Sequence, residues 1–173
     1  MKILAVDVGT YSIKFCVASV RKKEFQVHRV FQIPIPEPEK PLDQQMDQVA
    51  SLIFNTVQEH QLMGDRLVIG IPSSMCSFRF ITVPFTTQKK IEQVLSFEVE
   101  DIVPFSAAEL IIDYQVVKQD KGSSELFLAM VPQVNYDNYM ASFLEHHLEA
   151  DVVMPDSVAY SVFCEKFIPQ DAR

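Results

Sequence analysis

The sequence predicts an α/β fold in two parts. The first part reads as a meander of three strands, an amphipathic helix and a further strand, because alternating apolar runs are followed by apolar residues at helical spacing. The second part reads as a strand, a helix, two strands and a helix, which is a compact βαββα unit. A short strand and a last helix then close the chain.

In the first part, alternating segments at residues 2–8, 12–20 and 24–35 predict the meander. The proline-rich stretch 34–41 predicts an extended surface loop, since proline lacks a backbone donor and breaks helices. Between residues 42 and 62, apolar side chains at helical spacing predict one amphipathic helix. The nearly all-apolar "RLVIGIP" that follows is typical of a strand covered on both faces.

The second part begins with the alternating segment "CSFRFITVP", and a helix is predicted from residue 87 to residue 103, where Pro104 ends it. Two strands follow and are joined by the turn "QDKGSS". These strands are predicted at 110–118 and 125–132, and they are followed by a helix at 134–148, a short strand at 150–155 and a helix at 156–167.

The composition limits the partners. With 15 Lys and Arg against 23 Asp and Glu, the formal net charge is -8, which argues against binding to nucleic acid or directly to an anionic membrane. No apolar run is long enough to span a bilayer, and Asp7 interrupts the start too early for a signal peptide, so we expect a cytoplasmic protein with protein or small-molecule partners. The three cysteines are far apart and flanked by apolar residues, which favours buried thiols over a disulfide or a zinc site.

The turn after the first strand, "DVGT", is the first candidate site. Asp7 ends the strand, Gly9 makes a tight reversal, and the backbone amides from Gly9 to Ser12 can form a concavity that binds phosphate oxygens. Thr10 or Ser12 can add a hydroxyl, Asp7 can hold a hydrated Mg²⁺, and Lys14 can add a positive charge. On spacing alone, an ordinary hairpin turn in which glycine supplies a positive φ is the alternative.

Glu98 is the second candidate, because it falls on the apolar stripe of its predicted helix. A carboxylate there needs a partner, since burying it unpaired is unfavourable. It either anchors a basic or amide-rich partner, or it forms an internal salt bridge or reaches solvent at the edge of the stripe. Glu100 and Asp101 are expected to be solvated. No catalytic constellation stands out, so no catalytic residue is predicted.

Two stretches resemble known families. The opening "AVDVGTYSIKF" resembles the first phosphate loop of the actin-like ATPase superfamily, whose members share a D-x-G-[ST] turn between the first two strands. The stretch "TTQKKIEQVLSFEVEDIVPFSAAELIIDYQVV" resembles the inserted subdomain of the PilM family of type IV pilus machines. It is also similar to the equivalent insert of FtsA and, more loosely, to the type II secretion protein GspL, and it does not distinguish PilM from GspL.

The resemblance implies a fold and a set of nucleotide-binding residues. The fold is an actin-like (ribonuclease H-like) subdomain, formed by residues 1–73 and 151–173, with the βαββα subdomain inserted at residues 74–150. The phosphate-loop residues would face the nucleotide phosphates and their magnesium, with Asp7 as the metal residue. They are Asp7, Gly9, Thr10, Ser12 and Lys14.

The resemblance also implies a partner. Glu98, Pro104, Phe105, Asp113 and Tyr114 match the motif of the insert, and in the PilM branch the cleft between the two subdomains receives a short peptide from a membrane-bound protein. The implied function is a cytoplasmic scaffold or adaptor. It would bind the cytosolic tail of an inner-membrane assembly protein and link it to the motor ATPase of a pilus or secretion machine.

Actin-like proteins hold the nucleotide between two lobes, and the second phosphate loop and the adenosine motif do not occur in these 173 residues. We therefore expect either an N-terminal portion of a longer parent or a reduced protein, with weak or no binding of ATP and Mg²⁺ by this chain alone. An ATP-hydrolysing or sugar-kinase-like enzyme and an FtsA-like division anchor are the alternatives. The first needs a catalytic acid and a second loop downstream, and the second needs an amphipathic membrane helix there.

Overall fold

The structure, a computed structural model, describes residues 1–22 and 24–167. The chain divides into two compact units, Met1–Ser73 with Asn138–Arg173, and Ser74–Asp137. The last residues of the predicted return segment, 168–173, lie outside the described residues. In chain order the elements are β1 (Lys2–Val8), β2 (Ser12–Arg21), β3 (Glu24–Pro34), α1 (Met46–Glu59), β4 (Arg66–Ile71), β5 (Ser77–Val83), α2 (Gln88–Glu100), β6 (Leu110–Gln119), β7 (Ser124–Pro132), α3 (Gln133–Glu145), β8 (Val152–Pro155) and α4 (Asp156–Phe167).

The first unit contains a five-stranded sheet in the order β3-β2-β1-β4-β8. The predicted meander is confirmed, since β1 and β2 pair antiparallel and β2 and β3 pair antiparallel. β4 pairs parallel with both β1 and β8. The carboxyl ends of β1, β4 and β8 therefore meet at one edge of the sheet, which is where ligands bind in open α/β sheets.

One face of this sheet forms the core of the first unit. Alternate residues of β1, β2 and β4 point to that face, and the predicted apolar positions of α1 are buried as well. β4 alternates between buried and half-buried residues, so the expected burial on both faces holds for only one of them. The buried residues of these elements include Leu4, Val6, Ile13, Phe15, Val49, Ile53, Val57, Leu67 and Ile69.

The second unit contains a three-stranded antiparallel sheet in the order β5-β7-β6. Its core lies between one face of the sheet and α2. The helix contributes the apolar stripe predicted from the sequence, and the strands contribute every second residue. The core residues are Val83, Ile91, Leu95, Val99, Leu126, Leu128 and Met130.

The boundary after the insert differs from the predicted one. The order βαββα is observed, but the compact second unit ends at Asp137, whereas the sequence placed its end at residue 150. Most of α3 belongs to the first unit, because Tyr139 and Phe143 are buried there and the Tyr139 hydroxyl donates a hydrogen bond to the Gly70 carbonyl at 2.8 Å. Sequence patterns do not show which sheet a helix packs against.

The proline-rich loop that follows β3 is fastened at both ends. Ile35 is buried, and its backbone N–H donates to the carbonyl of Tyr11 at 3.0 Å. The side-chain amide of Gln45 donates to the carbonyls of Glu37 at 3.0 Å and Lys40 at 2.8 Å. The loop therefore lies beside the turn between β1 and β2.

Two further expectations concern thiols and membranes. The three cysteines, Cys16, Cys76 and Cys164, are half-buried and not buried as predicted, because each lies outside the two cores. Among the described residues, no helix is both long and apolar enough to cross a membrane.

Candidate functional site

The turn between β1 and β2 is a tight reversal at the carboxyl end of β1. Val8 pairs with Ile13, and the Gly9 N–H donates across the turn to the Ser12 carbonyl at 3.1 Å. A Cβ at Gly9 would lie 3.1 Å from that carbonyl oxygen and 3.2 Å from the Lys14 Nζ, so a larger residue would press on both. A side chain at position 9 would therefore require the Ser12 carbonyl and the Lys14 ammonium to shift by a few tenths of an ångström.

Asp7 and Lys14 form an ion pair beside this turn. The two residues are directly opposite each other in the β1–β2 ladder, and Lys14 Nζ lies 2.8 Å from Asp7 Oδ2. The side chain of Lys14 is 49% exposed and that of Asp7 is 40% exposed, so solvent and ligands can reach both. The hydrogen bond to Asp7 raises the pKa of Lys14, and partial burial opposes it. The turn therefore carries its own cation and counter-ion.

Two of the predicted phosphate ligands already have partners inside the protein. The Gly9 N–H is bonded to the Ser12 carbonyl, which corrects the prediction that all amides from Gly9 to Ser12 point into one concavity. The Ser12 hydroxyl donates to Gln32 Oε1 at 3.3 Å. Thr10 is exposed, and the Lys14 ammonium is half-exposed. The structure thus brings all five predicted residues together in an open turn.

Gly70 and Tyr139 lie next to Asp7, and the sequence did not identify either of them. Asp7 pairs with Gly70 across β1 and β4, and a Cβ at Gly70 would lie 3.3 Å from Asp7 Oδ1. The Gly70 carbonyl accepts the hydroxyl proton of Tyr139. Burial strongly raises the pKa of Tyr139, and the charges of Asp7 and Asp156 add to the rise. The signal was a glycine inside an apolar strand, which often marks close approach of another group.

A second acidic residue, Asp156, begins α4 at the same edge of the sheet. Its Oδ1 accepts hydrogen bonds from the Ser73 N–H at 3.1 Å and from the Ser73 hydroxyl. The Ser73 Oγ in turn accepts the Ser157 N–H at 3.2 Å. These bonds fasten the start of α4 to the end of β4. In the part of the chain that the structure describes, no three His, Cys, Asp or Glu side chains are placed to share a metal ion.

The predicted partner residues of the second unit do not share one surface. Asp113 and Tyr114 are neighbours on β6, and they pair with Ala129 and Leu128 of β7. Tyr114 packs against the core on the face that α2 covers, where burial first, and then the charges of Glu92 and Asp113, raise its pKa. Asp113 is exposed on the opposite face, which α2 leaves open.

The other three predicted partner residues lie on α2 and in the turn after it. Glu98 is half-buried on the helix, while Pro104 and Phe105 are exposed in the turn, Phe105 by 47%. Glu100 holds this turn, since its Oε1 accepts the Ala107 N–H at 3.1 Å and the Ser106 hydroxyl at 3.3 Å. Glu100 and Asp101 are exposed, as expected, and Glu100 also fastens the chain where it folds back after α2.

An aromatic cluster covers the open face of the second sheet, and the sequence did not single it out. The rings of Phe78 and Phe127 are stacked with centroids 5.6 Å apart, and those of Phe80 and Phe127 are 5.2 Å apart. Phe80 is 65% exposed. Phe78 and Asp113 both pair with Ala129, so the acid lies on the same face as the rings. The apolar character of both faces of β7 was the available signal.

The sheet order of the first unit, the turn after β1 and the insert together define the actin-like ATPase fold, as predicted. The chain matches the family of type IV pilus assembly protein PilM over residues 5–172, and it belongs to that family. The sequence did not distinguish PilM from GspL, and the family model that the chain matches is that of PilM. A comparison with curated protein sequences found no match.

Three solved structures show the likeness in fold. A PilM-PilN type IV pilus biogenesis complex is 17% identical, with a TM-score of 0.79 over 95% of this chain and 51% of its own. The cytoplasmic domain of EpsL, an inner-membrane component of the Vibrio cholerae type II secretion system, is 14% identical, with a TM-score of 0.55 over 92% of this chain and 59% of its own. A Bacteroides thetaiotaomicron protein with an actin-like ATPase fold and unknown function is 13% identical, with a TM-score of 0.50 over 95% and 56%. The chain thus spans between half and three fifths of these structures.

Proposed function

We propose that the chain is a cytoplasmic adaptor of a type IV pilus machine that binds the cytosolic tail of an inner-membrane protein. The observation that carries this proposal is the PilM family match over nearly the whole chain, together with a structural neighbour in complex with PilN. In this proposal the adaptor is not an enzyme. It lies at the inner membrane through its partner and links that partner to the assembly motor ATPase.

The open face of the second sheet suits such a tail. Exposed aromatic rings such as Phe80 offer apolar area with little side-chain freedom to lose, and Asp113 places a negative charge beside them. Cytoplasmic segments next to membrane spans are enriched in Lys and Arg, which the net charge of -8 attracts. We propose that Asp113 and the phenylalanine cluster bind a tail of apolar and basic residues, with Glu98, Pro104, Phe105 and Tyr114 as the remaining candidates.

A binding assay tests this surface. The probe is a labelled peptide of the cytosolic tail of the PilN-type protein from the same genome, titrated with the chain by fluorescence anisotropy. We expect Phe80→Ala to weaken binding about tenfold or more, and Asp113→Asn to weaken it less and to reduce its salt dependence. Phe97→Ala is the matched control, since Phe97 is 73% exposed on α2. Equal affinities for all three variants and the wild type would exclude this face as the binding site.

We further propose that the turn after β1 holds a nucleotide phosphate where the chain is the first lobe of a longer parent. The half-exposed Lys14 ammonium and the close backbone at Gly9 support this, and Thr10 and Ser12 can supply hydroxyls. Bound Mg²⁺ would neutralise phosphate charge, with Asp7 as its protein ligand. The Lys14 ammonium engages Asp7 Oδ2, so Mg²⁺ would bind Asp7 either through Oδ1 or after Lys14 has moved to a phosphate.

Calorimetry of Mg-ATP binding tests the nucleotide proposal. We expect measurable binding by the full-length parent, weaker binding by its Asp7→Ala variant, and weak or no binding by this chain alone, since affinity depends on enclosure. Equal affinities of the parent and its Asp7→Ala variant would mean that the turn is an ordinary hairpin. ATP hydrolysis by the parent that depends on Asp7 would instead favour the enzyme alternative.

A further inference from the structure

β3 is a long open edge of the first sheet. It pairs with β2 on one side, and on its other side no strand lies among the described residues. Nearly all of Glu24–Pro34 is exposed. The backbone N–H and C=O groups along such an edge are available for pairing with another strand. The opposite edge is blunted, because β8 has only four residues and ends at Pro155.

The outer side chains of β3 form an apolar stripe. Phe25, Val27 and Val30 are 61%, 48% and 66% exposed. They pair with Val20, Ala18 and Cys16, which alternate along β2 with the core residues Phe15 and Val17. The stripe therefore lies on the face opposite Phe15 and Val17, where Ala18 is itself buried beside it. Exposed β-branched and aromatic residues on an open edge favour strand addition.

The charge on this edge suits a second copy of the same chain. The whole chain carries a net charge of -8, so two copies repel each other over most of their surfaces. The described part of β3 carries one acidic residue, Glu24, and one fixed positive charge, Arg29, so it is balanced. The Arg29 guanidinium lies 4.5 Å from the centre of the Phe31 ring, on the core side of the strand.

We propose that two copies of the chain associate through antiparallel pairing of their β3 strands. The faces of the strand limit the register, because the β2–β3 pairing shifts by one residue near His28. In an antiparallel register that extends across the shift, residues before it must oppose residues after it with their faces matched, which requires the numbers of paired residues to add up to an odd value. We place Phe25 opposite Val30 of the second copy, which sets Glu24 diagonal to Arg29 of the second copy.

The pairing would be weak. A single strand-to-strand junction is smaller than the roughly 1,600 Å² of a standard stable interface, so we expect a Kd in the micromolar range. Two apolar pairs and two diagonal ion pairs occur in each dimer, because a two-fold axis repeats every contact. The substitutions below therefore act twice in each dimer.

Sedimentation velocity across a concentration series tests the association. We expect a monomer–dimer equilibrium for the chain, and a loss of affinity of about tenfold or more for Val30→Lys, since two lysines would face the apolar stripe. Phe97→Lys is the control, because it adds the same charge at a position of similar exposure on α2 and should leave the equilibrium unchanged. A chain that stays monomeric at hundreds of micromolar, or dimers unaffected by Val30→Lys, would overturn the proposal.

Charge exchange tests the orientation. Glu24→Arg and Arg29→Glu should each weaken the dimer about three- to tenfold, because each places like charges on the diagonal. The double variant should restore the affinity of the wild type to within about twofold, since it recreates the pair with exchanged partners. A double variant that is weaker than both single variants would exclude this arrangement.

Cysteine cross-linking tests the register. The chain is prepared with Cys16, Cys76 and Cys164 replaced by serine, because Cys16 pairs with Val30 and would compete. Circular dichroism confirms that this background folds. After mild oxidation, Phe25→Cys/Val30→Cys should give a covalent dimer with linkages between residues 25 and 30 in peptide mapping. Linkages found only between two residues 25, or no covalent dimer at concentrations where the chain dimerises, would contradict the register.

Discussion

Lys14 Nζ lies 2.8 Å from Asp7 Oδ2 across the β1–β2 ladder, so the turn that resembles a phosphate loop is neutralised from within. The ion pair lowers the affinity of Asp7 for a metal ion, because the Lys14 ammonium already neutralises its charge. A phosphate that binds to Lys14 would release Asp7. The ion pair therefore links anion binding and cation binding at this turn.

Replacing Lys14 tests how the pair contributes to stability. Its pKa is raised by Asp7, so the pair stabilises the fold below the ordinary lysine value of 10.5, and this contribution is lost as the pH rises through the folded-state pKa. Because both side chains are about half exposed, we expect Lys14→Met to lower the free energy of unfolding by less than ~1 kcal/mol at pH 8. Urea titrations at pH 8 and above pH 10.5 measure it. A difference that grows with pH would contradict this reading.

Replacing Tyr139 tests the support behind the turn. Tyr139→Phe removes the hydroxyl that donates to the Gly70 carbonyl and leaves a half-buried acceptor without that donor. We expect a loss of about 1–3 kcal/mol in the free energy of unfolding. Tyr160→Phe is the control, since Tyr160 is 68% exposed and should change the stability little. Equal losses for the two variants would mean that the hydrogen bond does not stabilise the fold.

Gly64 tests a close approach at the other end of the first sheet. A Cβ at Gly64 would lie 2.7 Å from the Lys2 carbonyl oxygen, which accepts the Asp65 N–H at 2.8 Å. We expect Gly64→Ala to cost about 1–3 kcal/mol, because backbone must move to make room. Met63→Ala, at a neighbouring position that is 45% exposed, should cost less than about 0.5 kcal/mol. Equal melting temperatures for Gly64→Ala and Met63→Ala in thermal denaturation would contradict the close contact at Gly64.

Asp151 tests an acid-dependent link between β4 and the segment before β8. Its carboxylate accepts the Leu67 N–H at 2.8 Å and a hydrogen bond from Arg66 at 2.9 Å, and the first of these chiefly lowers its pKa. Since the folded-state pKa lies below the ordinary value of 3.8, the stabilisation is present above that pH and is lost as the pH falls below it. We expect Asp151→Asn to lower the Tm at pH 6.

Measurements at acidic pH provide the control for the Asp151→Asn variant. The difference in Tm between the wild type and Asp151→Asn should shrink as the pH falls below 3.8, because the wild-type carboxyl then becomes protonated as well. Differential scanning calorimetry between pH 3 and 6 measures both curves. A difference that stays constant over this range would show that the variant acts through packing and not through charge.

The sequence by itself determined the order and type of the elements. Alternation at residues 2–8 and 12–20 and helical spacing in 42–62 are local properties, since a strand or helix must turn one face to the core. α1 buries the predicted Met46, Val49, Ile53 and Val57. The turn around Gly9 could also be located, because glycine between two strands is a local signal.

Only the tertiary structure decided which distant residues meet. Tyr139 and Gly70 are far apart in sequence, and nothing local in either segment shows that a helix following the second sheet packs on the first. The same holds for the ion pair of Arg66 with Asp151, and for the open edge of β3, which depends on the strand order. Local patterns record how much surface an element buries, whereas the partner that buries it is fixed by the packing of the whole chain.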